Sequence, residues 1–411
     1  MNGSVVVLLP RDLLDPLIIT DHNLTDKEGL LSVQLIWTQG IITNIRLLGN
    51  LSEIALPIAI SPLIESHAHL DKAYTRDLKS IATNNITATM LANASEHSFR
   101  TAEDLQKRIT RIMQLGWHQG LRGIRTHVDS LGPHMQLTWE VLQDLRFNWK
   151  TRLSLQLVAL LPLYYWGTQK GINLAKQIAS SGGFLGGILG PPYIKSLKAE
   201  SEVLTFLKLA QSFGCSVDLH VDEGNIALGH GVNLITRLME KYNFDVSITC
   251  SHSSSMGLLP LSKLRNLAER MAYVNLQVVA LPFTNFWLIG HHSEITPSQR
   301  PIAPIKQLQA AGVNVCVGSD NVQDAWFPAG NCDPIELIRF STVTTHLTPW
   351  SRQGLVPFTT SPSRLMGLEW DGIFRIGAPA SMILIDCSTW YRILAQPPRR
   401  RVLHNGKWIL D

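Results

Sequence analysis
The chain of 411 residues carries 45% hydrophobic and 17% charged residues and a formal net charge of only +4. This composition excludes a disordered chain, and so thin a charge excludes a surface built for nucleic acid; the one dense basic run, Arg399–Arg401, reads as a solvated loop. The length suits a barrel-sized domain plus a smaller one. Five cysteines without a CxxC pair are expected to be free thiols in a reducing cytoplasm. The N-terminus, broken at Pro10 and Arg11 and lacking a basic start, is not expected to be a signal peptide, and no apolar run is long enough to span a bilayer.

The first residues read as β-rich. Val33–Trp37 and Ile41–Ile45 are short β-prone runs separated by Thr38-Gln39-Gly40, a hairpin signal. From Leu63 onward, apolar runs recur with helix-like stretches between most of them: 63–66, 123–128, 153–161, 184–189, 216–221, 245–250, 272–281 and 313–318. Strands alternating with helices predict right-handed βαβ units, and eight such units predict a closed (β/α)8 TIM-like barrel. The crossover from 69 to 123 is long and is expected to carry an extra loop or helix pair over the pocket. After a helix-like stretch at 333–340, the chain turns β-like again at 380–385 and 401–409, the latter with an Asn-Gly turn. The expected organisation is therefore α/β: a barrel over 59–369, and a small β-sandwich domain formed from both chain ends, 1–58 plus 370–411.

Functional groups of such a barrel sit at the C-terminal ends of its strands. The first run ends in His67-Ala68-His69, the second in Thr126-His127-Val128-Asp129, the fifth in His220-Val221-Asp222-Glu223, the sixth in Ser251-His252-Ser253 and the eighth in Ser319-Asp320-Asn321. Residues i and i+2 of a strand share a face, so His67 and His69 project together. With His220 and Asp320 they make a mixed nitrogen and oxygen donor set suited to one divalent metal ion, Zn or Fe. Such an ion brings the pKa of a bound water to about 7. No lysine follows the fourth run, Ile188-Leu189-Gly190-Pro191, which argues for one ion rather than two. Glu223 is the expected proton shuttle, His252 the group that orients the nucleophile, and Asp320 doubles as a base. His127 and Asp129 are given a supporting or pocket-wall role.

The phrases HAHLDK, RTHVD, LHVDE, SHSSSMG and GSDNVQDAWFP, in that order, resemble the cytosine deaminase branch of the amidohydrolase superfamily. The resemblance covers about residues 60 to 370. It implies a metal-dependent barrel that hydrolytically deaminates nitrogen heterocycles, with metal ligands at His67, His69, His220 and Asp320, a proton shuttle at Glu223, an orienting histidine at His252 and an aromatic against the base at Trp326. The implied partner is a small heterocyclic substrate, with no nucleic acid and no membrane, and the family commonly forms homo-oligomers. Two departures touch the substrate. The stretch Leu160-Leu161-Pro162-Leu163-Tyr164 lacks the glutamine that cytosine deaminases use, and Asn321 stands where they carry a second aspartate. Asp320-Asn321 and His69-Leu70-Asp71-Lys72 are more similar to relatives acting on substituted triazines, which however replace the shuttle glutamate kept here as Glu223. Tyr164, Asn321, Asp324 and Trp326 are the expected substrate-binding residues. Cytosine or a related pyrimidine or purine is the default substrate. A substituted triazine or cyclic amide, and a barrel that binds without turnover, are the alternatives.

Overall fold
The computed structural model describes residues 2–19, 26–49, 55–75, 86–190, 198–290 and 294–409. Its strands, in chain order, are β1 (Gly3–Pro10), β2 (Leu30–Thr38), β3 (Ile41–Leu47), β4 (Ile58–Ile60), β5 (Leu63–Ala68), β6 (Leu121–Asp129), β7 (Ser154–Leu160), β8 (Phe184–Leu189), β9 (Val217–Val221), β10 (Ile248–His252), β11 (Gln277–Ala280), β12 (Asn314–Val317), β13 (Met382–Ile385), β14 (Arg400–His404) and β15 (Lys407–Trp408).

Strands β5 to β12 follow one another in a single sheet, with parallel pairing registered from β6 through β12. The last strand returns to the first: Asp320 N–H donates to the His67 carbonyl at 3.0 Å, and Ala68 and Asp320 form a parallel bridge. This is the (β/α)8 barrel. Its helices include Ala102–Gln119, Met135–Trp149, Gln169–Ser180, Ala199–Ser212, His230–Tyr242, Leu261–Tyr273 and Ile305–Ala310. Two show why such helices form. Ala102–Gln119 buries Leu105, Ile109, Ile112 and Met113 at helical spacing and turns Glu103 and Lys107 outward. Gln169–Ser180 is capped by Thr168, whose hydroxyl accepts from Gly171 N–H at 3.1 Å. The long first crossover contains the expected extra element, a helix at Ile86–His97. The run at 272–281 becomes a strand only at its end, because Leu261–Tyr273 continues the preceding helix through Ala272.

The chain ends build the expected separate β domain, a seven-stranded sheet in the order β15-β14-β13-β4-β1-β2-β3. β1 lies within it, antiparallel to β2 and parallel to β4. The chain divides into two compact units. One comprises Met1–Ile64, Gln114–Arg122 and Asp333–Asp411, wider than the terminal stretches expected; the other comprises Glu65–Met113 and Gly123–Cys332. Within the first, Arg122 donates to the carbonyls of Pro62 at 3.1 Å and Trp370 at 2.8 Å. Among the described residues no helix is long and apolar enough to cross a membrane.

Candidate metal centre and active-site cavity
Strand alternation builds the site in layers. β6 turns Arg125, His127 and Asp129 to one face, β9 Asp218 and His220, β10 Thr249 and Ser251, and β5 Glu65 and His67. Register sets Asp218 beside Thr249 and His220 beside Ser251. The lower layer is ionic: Arg125 Nη1 donates to Asp218 Oδ2 at 2.9 Å and to Thr249 Oγ1 at 3.3 Å. The upper layer collects imidazoles, with His67 and His127 stacked at 3.9 Å between ring centroids.

Above these layers the four expected ligands converge. His69 Nε2 lies 3.2 Å and His67 Nε2 3.5 Å from Asp320 Oδ1, and His220 Nε2 lies 3.3 Å from His69 Nε2. Donor atoms of His67, His69 and Asp320, and those of His67, His220 and His252, each fall within 4.8 Å of one another. Burial, and then the crowding of neighbouring histidines, pushes His67 and His220 well below the usual imidazole range, so both are neutral, the form that ligates. His67 Nε2 and both Asp320 oxygens are buried with no hydrogen-bond partner among the described residues. Buried polar atoms without partners are costly, and lone pairs facing one another at this range need a cation between them. The donor set therefore fits a divalent ion.

Groups behind the cluster orient it. Ser251 Oγ donates to Asp218 Oδ1 at 2.7 Å and so accepts from His67 Nδ1 at 2.9 Å, which leaves the His67 Nε2 lone pair toward Asp320. Glu65 accepts from the N–H groups of His67 and Ser319, both at 3.0 Å, and from the Ser319 hydroxyl at 2.5 Å. Burial raises the Glu65 carboxyl to about 7 against these bonds. Neither Glu65 nor Asp218 was singled out in the sequence, although each stands two residues before a ligand histidine on the same strand face. Ser251 and Asn285 carried no such signal.

Glu223 and His252 face one another, with Oε2 and Nε2 3.7 Å apart. Asn285 Nδ2 donates to His252 Nδ1 at 3.1 Å, so the His252 proton sits on Nε2. Burial pushes the Glu223 carboxyl up, opposed by His252, while 27% of its side chain stays open. Asp222 accepts from Gly231 and Val232 N–H at 2.8 and 2.9 Å, tying the turn before Glu223 to the start of helix His230–Tyr242. The serines of Ser253-Ser254-Ser255 complete this work: Ser253 N–H bonds the Val221 carbonyl, and Ser254 Oγ and Ser255 N–H bond the Asp222 carbonyl.

A cavity of about 670 Å³ opens over these groups, lined by His69, His220, Glu223, His252, Asp320, Asn321 and Trp326 at its reactive end. Leu160, Leu161, Pro162, Ile188, Leu288 and Ile289 form apolar wall, and Lys72, Asn93, His97 and Asp129 a polar one. Two expected substrate contacts lie elsewhere. Tyr164 is 56% exposed and lies outside the cavity lining, because its turn sends Leu163 and Trp166 inward instead. Asp324 is buried behind the lining, where Oδ2 accepts from Asn321 Nδ2 at 2.6 Å and Oδ1 from the N–H groups of Trp326 and Phe327 at 2.8 and 3.0 Å.

A model of the amidohydrolase family matches residues 189–409, more than half of the chain, and the chain belongs to that family. It is 28% identical over 394 residues to a pterin deaminase of Rhizobium rhizogenes, covering 93% of this chain and 89% of the relative. It is 22% identical over 410 residues to an N-isopropylammelide isopropyl amidohydrolase of Pseudomonas sp., covering 96% and 97%. Among solved structures, the fold is similar to that of 5-methylcytosine deaminase from Klebsiella pneumoniae liganded with 5-fluorocytosine, with a TM-score of 0.83, 21% identity and 99% and 97% of the two chains covered.

Proposed function
We propose that this amidohydrolase removes an exocyclic amino group from a nitrogen heterocycle as ammonia. The observation that carries the reading is the Glu223–His252 pair, 3.7 Å apart at the mouth of a buried cluster of three histidines and an aspartate. One divalent ion, zinc or iron, held by His67, His69, His220 and Asp320, would supply Lewis acidity and a water ionised near neutral pH. Glu223 takes a proton from the attacking water and delivers it to the ring nitrogen; the second proton, left on the added hydroxyl, passes by way of Asp320 to the amine, which departs as ammonia while the carbonyl forms. Its raised carboxyl suits a group that must both accept and donate near neutrality. His252 presents Nε2–H to the same place from a ring held by Asn285. Trp326 and the apolar wall stack the ring. Asn321, whose amide is oriented by Asp324, leaves its oxygen to accept from a ring N–H.

A 2-amino-4-oxo bicyclic ring of the pterin kind is favoured over cytosine. The likeness to the pterin deaminase extends over nearly the whole chain, and Leu160-Leu161-Pro162 presents apolar wall where a pyrimidine-reading glutamine would stand. The cavity falls within the roughly 300–1,000 Å³ of ordinary ligand sites and has room beyond one ring. The five cysteines are all free thiols, which supports a reducing compartment. The test is ammonia release by metal-loaded protein from pterin, cytosine, 5-methylcytosine and guanine, with amine release from N-isopropylammelide measured beside it. Pterin is expected to lead. Release from the triazine alone would move the reaction to a different C–N bond, and no release from any compound at full metal occupancy would remove the hydrolase reading.

A further inference from the structure
The polar wall of the cavity holds a residue that the metal site does not use. Lys72 lies three residues beyond His69 in the turn that follows β5. The turn is pinned: Lys72 N–H bonds the His69 carbonyl at 3.2 Å, Thr75 Oγ1 donates to the Lys72 carbonyl at 2.7 Å, and Arg108 Nη1 donates to the carbonyls of Asp71 at 3.2 Å and Ala73 at 2.8 Å. The Lys72 side chain therefore leaves the backbone at a fixed place beside His69. It lines the cavity, and no other lysine or arginine does so among the described residues.

Its ammonium pairs with Asp129 Oδ1 at 3.0 Å and lies 5.9 Å over the Trp326 ring. The other Asp129 oxygen accepts from Asn93 Nδ2 at 2.8 Å and faces His97 Nε2 at 3.1 Å. Asp129 is thus fully committed, whereas an ammonium carries three N–H groups and, among the described residues, Asp129 is its one ion-pair partner. Lys72 is 4% exposed and lines the cavity, so a ligand there is placed to take the others. An anionic group would enter a region that already holds the carboxylates of Asp71, Asp129 and Asp324, where the second nearby cation, Arg100, is committed to Asp71 at 3.2 Å and to Glu96 at 2.8 Å. A neutral acceptor fits better.

We propose that Lys72 determines specificity by donating a hydrogen bond to an oxo oxygen of the substrate ring, with Asp129 as the residue that positions it. The assignment rests on the deaminase reading above and supplies the polar contact that the Leu160-Leu161-Pro162 wall cannot. It predicts that Lys72 carries a large share of the discrimination between a 4-oxo ring and its 4-unsubstituted counterpart, which lacks both that oxygen and the ring N–H beside it.

The experiment compares kcat/KM for 2-amino-4-oxopteridine and 2-aminopteridine, together with calorimetric binding of the same two rings. Lys72→Met alone strands Asp129 without its cation, so the deciding variant is Lys72→Met/Asp129→Asn, with Lys72→Arg as the conservative rescue. The wild type is expected to prefer the oxo ring. In the double variant, folded and with full metal content, that preference should fall about 100-fold, chiefly through KM, and Lys72→Arg should recover part of it. A wild-type preference retained by the double variant overturns the assignment. So does an equal loss on both rings, which marks a structural role. Absence of ammonia from either ring with wild type counts against the deaminase reading instead. The calorimetric preference then decides Lys72 separately: lost in the double variant, it upholds the assignment; absent in the wild type, it overturns it.

Discussion

At the scale of single residues, the site depends on groups that never face the cavity. Ser251 commits its proton to Asp218 and thereby fixes which nitrogen of His67 bears hydrogen. Ser251→Ala removes that constraint and leaves His67 Nδ1 and Asp218 Oδ1 unpaired in the barrel interior. Metal retention is expected to weaken about 10–100-fold, measured by competition with a chelator and elemental analysis; undiminished retention would cut the proposed link between Asp218 and the ion. Glu223→Gln is expected to behave in the opposite way. It keeps the shape of the carboxyl and loses its basicity, so ammonia release should drop by about 10²–10⁴ while metal content holds. This contrast also marks what the sequence made legible. His67, His69, His220 and Asp320 announce themselves because each ends an apolar run, and the structure brings all four together. The meaning of Ser251 lies in partners 184 residues before it and 33 residues before it, and Glu65 meets Ser319 across 254 residues. No local pattern encodes such pairs. Tyr164 was misread for a related reason: alternation within a single helical turn decides which of its aromatic residues faces in, and there Trp166 does.

At the scale of elements, the strand ends are bent on purpose. Asp222, His252 and Asp320 carry φ values of 54°, 67° and 71°, in the left-handed region that non-glycine residues seldom adopt. Such strain of about 1–3 kcal/mol per residue persists only where surroundings over-determine it, and the serines after His252 and the bridge from Asp320 to His67 do so here. β12 must also approach β5 closely. A Cβ on Gly318 would stand 2.8 Å from Glu65 Oε1 and 3.2 Å from His67 Cβ. Gly318→Ala is therefore expected to cost about 1–3 kcal/mol in urea unfolding and to loosen the ion as His67 is displaced; an unchanged midpoint would show that Glu65 can give way. The barrel strands were legible as apolar runs, and most intervening helices as periodic ones. Helix Ile86–His97 was not placed, because its apolar side chains keep to no single face: Leu91 is 68% exposed while Thr89 and His97 are buried. β1 was legible only as part of a β-rich start, without bounds, because Val5–Leu9 is a continuous apolar run, and pairing on both sides is what makes it a strand.

At the scale of the whole molecule, the ion and the fold are linked. The cluster holds the imidazoles of His67 and His69 3.5 and 3.2 Å from the Asp320 carboxylate, and His67 Nε2 and both Asp320 oxygens are buried without a hydrogen-bond partner among the described residues, a cost that a cation would relieve. An ion that binds only the folded chain stabilises it by RT ln(1 + [L]/Kd), about 4 kcal/mol at a thousandfold excess over Kd. Chelation should therefore lower the thermal midpoint by roughly 5 °C, because an unfolding entropy of about 2.1 cal/mol/K per residue over 411 residues gives about 1.2 °C per kcal/mol. The same linkage predicts where the loss falls. All four donors belong to the compact unit of Glu65–Met113 and Gly123–Cys332, and none to the unit that carries the end sheet. On chelation, amide hydrogen exchange should quicken in peptides covering 63–72, 217–224 and 314–322. Peptides from β2, β3, β13 and β14 should keep their protection under native conditions, because opening of the metal cluster is local and lies well below the free energy of global unfolding. Equal loss in both sets would mean that the ion holds the entire chain together, and no loss in either would mean that the four residues do not bind it in the folded protein.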